Sequence, residues 1–138
     1  MRNLMLACAL AAFASPAMAG TVTAIVDKTD QNMVVFIDGV PTYEWAVSTG
    51  AKYNWTPTGT FGVQSMNADH YSSKYNNAPM PHSIFFNGNI AAHGTDKVDR
   101  LGQMDSKGCV RMHRDNARTL FNLVLEHGPA NTTIIVQD

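Results

Sequence analysis

From residue 21 onward, apolar and polar positions alternate in short runs separated by turn residues, the period of half-buried strands. Thr21 to Asp27 predicts a strand, Lys28 to Asn32 its turn, and Met33 to Ile37 the returning strand. Asp38-Gly39 is a tight-turn dipeptide opening into Val40 to Ser48, so three consecutive strands form a meander. The Gly-, Asn- and Pro-rich segment Thr49 to Thr58 predicts a shaped turn that feeds a strand from Thr60 to Met66. Asn67 to Pro81 is polar, lacks a sustained period and predicts a long loop of the kind that often carries function. Ser83 to Asn87 and Ile90 to Ala92 read as strands around a Gly88-Asn89 turn, the second delivering His93 at its end.

After Arg111 the period lengthens. Asp115 is the predicted cap of a helix in which Ala117, Leu120, Phe121, Val124 and Leu125 recur at helical spacing. Gly128-Pro129 stops it, and Thr132 to Val136 predicts a last strand. The fold class expected is mainly β with one principal α-helix.

The first residues follow a different pattern. One cation at Arg2, an apolar run from Leu4 to Ala14 and the small-x-small ending Ala17-Met18-Ala19 predict a secretory signal peptide over residues 1–19. The run is shorter than the ~20 residues that span a bilayer, so no transmembrane segment is expected. Removing it leaves 119 residues, 20–138, enough for a single domain with one core, and takes the formal charge from −1 to −2. That balance offers nothing to nucleic acid or an anionic membrane surface. The expected location is exported, periplasmic or associated with the cell wall.

Export changes the meaning of the cysteines. Cys8 leaves with the signal, so Cys109 stands alone where thiols are usually paired. A free thiol has a pKa near 8.5 and is only a few per cent thiolate at neutral pH. His93 can supply a base, and Lys107 and Arg111 a positive potential. Gly108 lets backbone approach a substrate closely, and the N–H groups of Gly108 and Cys109 are candidate donors to a developing oxyanion. His82, His93, Cys109 and His113 are also zinc-type ligands, yet none shows the short spacings of metal motifs, so no metal or cofactor is expected.

Four motifs in order then carry a resemblance: Thr-Pro-x-Gly-Thr-Phe at 56–61, Met-Pro-x-x-Ile-Phe-Phe-Asn-Gly at 80–88, Ala-x-His-Gly at 91–94 and Ser-x-Gly-Cys-Val-Arg-Met at 106–112. Together they resemble the YkuD-type L,D-transpeptidase catalytic domain. The resemblance implies a sandwich or barrel-like β domain with a helix packed on it after the cysteine motif. It implies that Cys109 attacks a peptidoglycan tetrapeptide stem, expels the terminal D-alanine and passes the thioester to an amine, with His93 as general base. Gly94 would orient the imidazole through its carbonyl, Gly108 and Cys109 would form the oxyanion turn, Ser106 would brace it, and Arg111 would shape the site or hold substrate. Lys107 stands where many members have histidine, and His82 where many have a bulky aromatic; both are assigned to substrate contact. Stem peptides are the implied partner, with an outer-membrane protein as a further candidate acceptor. Hydrolysis by the same residues, and a wall-binding module without turnover, stay open as alternatives.

Overall fold

A computed structural model of the chain describes residues 20–138; the expected signal peptide lies outside the described residues. Among the described residues, nine strands form one curled sheet: β1 Val22–Asp27, β2 Asn32–Ile37, β3 Val40–Ser48, β4 Gly59–Gly62, β5 Ser65–Tyr71, β6 Pro79–Asn87, β7 Ile90–Thr95, β8 Val110–His113 and β9 Thr132–Gln137. Their order is β4-β9-β1-β2-β3-β8-β7-β6-β5. The α-helix among the described residues, α1, spans Arg114–His127.

The first hairpins follow from the sequence. In β1 alternate residues Val22, Ala24 and Val26 are buried, as are Met33 and Val35 opposite them in β2. Asp38 and Gly39 both take positive φ, 52° and 80°, the geometry of a two-residue turn whose twist suits the strands it joins. β3 then crosses between two halves of the sheet. Its residues Val40 to Ala46 pair with β2, whereas Val47 and Ser48 pair with β8. This bend turns the halves' inner faces toward each other, with Phe61 of β4 meeting Phe86 of β6 at 5.3 Å between ring centroids. Ala117, Leu120, Phe121 and Val124 of α1 close the core against β6 and β7. Each such aliphatic or aromatic side chain removed from water contributes on the order of 1.5–3 kcal/mol.

Several elements depart from the expected boundaries. The strand expected at Thr60 to Met66 is two, β4 and β5, which pair with different neighbours. Most of the expected Asn67 to Pro81 loop is the β5/β6 hairpin, leaving only residues 72–78 as a turn. β5 is an edge strand whose side chains are largely exposed, so it needs no apolar alternation. His93 lies within β7 rather than at its end, because β8 extends the pairing through Thr95. The helix is capped by His113, whose Nδ1 accepts the Asp115 amide at 3.1 Å. Asp115 sits inside the first turn, where its charge suits the helix dipole. Leu125 is exposed rather than part of the core.

Candidate active site

The parallel pairing of β7 with β8 brings the two candidate reactive side chains together. Ala92 lies opposite Val110 and His93 opposite Arg111. A parallel pair requires a crossover, and residues 96–109 provide it, returning Cys109 alongside Ala91. The Ala91 amide donates to the Cys109 Sγ at 3.4 Å. Side chains two residues apart share a face, so His93 and Cys109 open on the same side. They line a cleft of about 650 Å³ with Lys107 and Arg111, facing Lys74 and Tyr75 of the 72–78 turn.

The backbone before the thiol is held by its own side chains. Ser106 Oγ donates to the Cys109 carbonyl at 2.5 Å and accepts the Gly108 amide at 3.1 Å. Gly108 has φ +123°, which disfavours any side chain there. Its carbonyl accepts from Thr56 Oγ1 at 2.7 Å, and the same hydroxyl accepts the Gly50 amide at 2.8 Å. Thr56 is itself fixed by the buried Lys28, whose Nζ donates to its carbonyl at 2.7 Å and lies 3.7 Å from the centre of a Trp55 ring. This corrects the expected oxyanion pair: the Gly108 N–H is engaged by Ser106 within the turn. Among the described residues, the Cys109 amide is bonded to no loop carbonyl and to no side chain.

His93 is buried, and its Nδ1 lies 2.7 Å from the Gly94 carbonyl. A carbonyl only accepts, so Nδ1 carries the proton and Nε2 holds the free lone pair. Burial pushes the imidazole down to about 4, outweighing the support of the Gly94 carbonyl, so the ring is neutral at neutral pH. Burial likewise pushes the Cys109 thiol up, against the opposing pull of the Ala91 amide and the Arg111 charge. The resting pair is therefore neutral imidazole and neutral thiol. The thiol donates to the Asn89 carbonyl at 3.7 Å, and no hydrogen bond joins it to His93 among the described residues.

Arg111 reaches the cleft with its guanidinium 3.4 Å from Asp105 Oδ2, and Lys107 Nζ sits 5.2 Å from the centre of the Tyr75 ring. Gly94 packs where a methyl group would lie 3.1 Å from Arg114 Cα and 3.2 Å from Pro81 Cγ. His82 is elsewhere, which corrects its assignment to substrate contact. It takes φ 53° and packs edge-on to Phe121 of α1 at 5.2 Å, outside the residues lining the cleft. Burial, then the Arg118 charge, lowers its pKa. Sequence reasoning missed Lys28, Gly50, Lys74 and Asn89. Lys28 and Gly50 lie in segments that read as ordinary turns, and neither has a motif of its own. Among the described residues, no three His, Cys, Asp or Glu side chains gather as a metal site, and no helix is long and apolar enough to cross a membrane.

Comparison with known proteins agrees with this architecture. The L,D-transpeptidase catalytic domain model, YkuD, matches residues 21–136. The chain is 29% identical over 127 residues to the Bacillus subtilis (strain 168) protein named "Putative L,D-transpeptidase YqjB", a match covering 83% of this chain and 70% of that one. Its fold is similar to that of an L,D-transpeptidase from Mycobacterium smegmatis, with TM-score 0.76, 21% identity and coverage of 86% of this chain and 59% of that one. It is similar also to L,D-transpeptidase 3 from Mycobacterium tuberculosis, solved in complex with a faropenem-derived adduct (TM-score 0.74, 18% identity, 86% and 61% coverage). The chain thus spans about 60% of the length of these solved structures. With a match that runs from β1 through β9, the chain belongs to the YkuD family of L,D-transpeptidase catalytic domains.

Proposed function

We propose that this chain is an exported cysteine L,D-transpeptidase that acts on peptidoglycan tetrapeptide stems. The observation that carries the reading is that His93 on β7 and Cys109, the residue before the parallel strand β8, line one cleft, with the imidazole neutral and its Nδ1 held by Gly94. In the reaction the thiol turns from the Asn89 carbonyl toward Nε2 by rotation about χ1. His93 takes its proton as sulfur attacks the carbonyl of the stem's third residue. The negative oxygen meets the Cys109 amide, and one such donor contributes about 2.7–4 kcal/mol in comparable sites. The imidazolium returns its proton to the departing amine, and D-alanine leaves. An acceptor amine then attacks the thioester, giving its proton to His93, and the sulfur departs to recover the thiol.

The test incubates the purified 20–138 chain with tetrapeptide stems and resolves the products by mass. New dimers and free D-alanine are expected, and both should be absent with Cys109→Ala. Tripeptide monomers without dimers would mean that water is the acceptor. Stems returned intact by a folded protein would remove the enzymatic reading and leave a wall-binding module.

A further inference from the structure

The cleft is far more positive than the chain that encloses it. The whole sequence has formal charge −1, yet Lys74, Lys97, Lys107 and Arg111 line this one cavity. Its single lining carboxylate, Asp96, is already held by Arg114. Among the described residues, Lys74, Lys97 and Lys107 have no acidic partner in a salt bridge, whereas Arg111 shares Asp105 with Arg100.

Two of these cations converge. Lys74 Nζ lies 5.3 Å, and Lys107 Nζ 5.2 Å, from the centre of the same Tyr75 ring. The two ammonium groups are therefore at most 10.5 Å apart, the sum of those distances. Each is within the range where the face of a ring attracts a cation. Both side chains are exposed and repel each other only weakly through water, and a carboxylate that meets both gains two screened attractions. Lys107 is also two residues from Cys109, so an anion held there is close to the reacting bond.

Resting on the reading proposed above, we propose that Lys74, Lys107 and Tyr75 form a carboxylate subsite beside Cys109 that selects substrates with a free carboxylate near the scissile carbonyl. In a peptide stem that group is either the terminal carboxylate of the leaving residue or the carboxylate of the diamino acid. Lys74 comes from the 72–78 turn and Lys107 from the segment before the thiol, so a bound carboxylate also bridges the two walls of the cleft.

Alkylation of Cys109 reads the charge directly. Iodoacetate and iodoacetamide both lose iodide to the sulfur and differ chiefly in charge, so their rate ratio cancels the thiolate fraction. Normalised to a free cysteine peptide, the ratio should exceed 1 by ~5-fold at low salt and fall toward 1 at ~0.5 M salt, where screening shortens to a few Å. Lys74→Met with Lys107→Met should bring it close to 1, and Lys107→Glu below the double variant. On stems, the double variant should raise KM by ~5–10-fold with kcat within about twofold, the pattern of lost substrate binding. Amidating the responsible carboxylate should abolish that sensitivity, and stems amidated at one position or the other identify which it is. A parent ratio of 1, or an elevated ratio unchanged in both variants, overturns the subsite while leaving acyl transfer intact. A salt-sensitive preference for iodoacetate with no product from stems supports the subsite and overturns the transpeptidase reading instead.

Discussion

His93→Ala is expected to slow acylation of Cys109 by 10²–10⁴-fold at neutral pH, the usual contribution of a positioned general base. The pH profile separates this from a packing defect. Burial holds His93 down to about 4, so the parent loses its base only as pH falls through that value. Its acylation rate should be half-maximal near pH 4 and nearly flat from about pH 5.5 to neutrality. Without the imidazole, reaction proceeds through thiolate alone, and burial keeps the Cys109 pKa above that of an ordinary thiol. The variant's rate should therefore climb about tenfold per pH unit across neutrality. A parent profile that climbs the same way would show that His93 takes no proton from sulfur.

Gly50→Ala should be the most damaging substitution outside the reactive pair. A methyl group at Gly50 would overlap the backbone carbonyl oxygen of Asn54 and lie 3.1 Å from Gly108 Cα. Neither neighbour is a flexible side chain that can swing aside. Relieving the overlap must displace the turn that closes with Asn54 donating to the Ala51 carbonyl at 3.0 Å. With it moves Thr56 Oγ1, which links the Gly50 amide to the Gly108 carbonyl. Overpacking of this kind costs about 1–3 kcal/mol, and an unpaired buried amide adds on the order of 1–3 more. The urea midpoint should fall accordingly, and acylation should slow even where the protein remains folded. A variant as stable and as reactive as the parent would mean that Gly50 is not what holds the turn before Cys109.

The meander and the helix were legible because each rests on local rules, whereas the meeting of His93 and Cys109 was expected only from the motif resemblance, since it depends on the long-range pairing of β7 with β8. Asp38-Gly39 encodes its turn by its two positive φ values, and β1 and β2 encode their faces by alternation. Ala117 to Val124 encode a buried stripe, and glycine before cysteine encodes a left-handed backbone. What the sequence concealed depends on distant partners. The β5/β6 hairpin is an exposed edge, so its residues need no apolar pattern. β8 is four residues long, too short to show a period, and exists because β3 and β7 flank it. His82 occupies a motif position but turns to Phe121 because its backbone takes a positive φ within β6. Ser106, the expected brace, accepts the Gly108 amide, one of the two expected oxyanion donors, and nothing local in the sequence signals that bond. Lys28, 28 residues before Thr56, bears on the nucleophile's turn only through a buried hydrogen bond.

The claim on which the account turns is that the Cys109 sulfur becomes acylated in this cleft. Intact-mass analysis of the 20–138 chain after incubation with faropenem, followed by peptide mapping, tests it most directly. A covalent adduct of one equivalent is predicted on the peptide containing Cys109, absent from Cys109→Ala and strongly delayed in His93→Ala. An unmodified mass from correctly folded protein, or an adduct that survives Cys109→Ala, would contradict it.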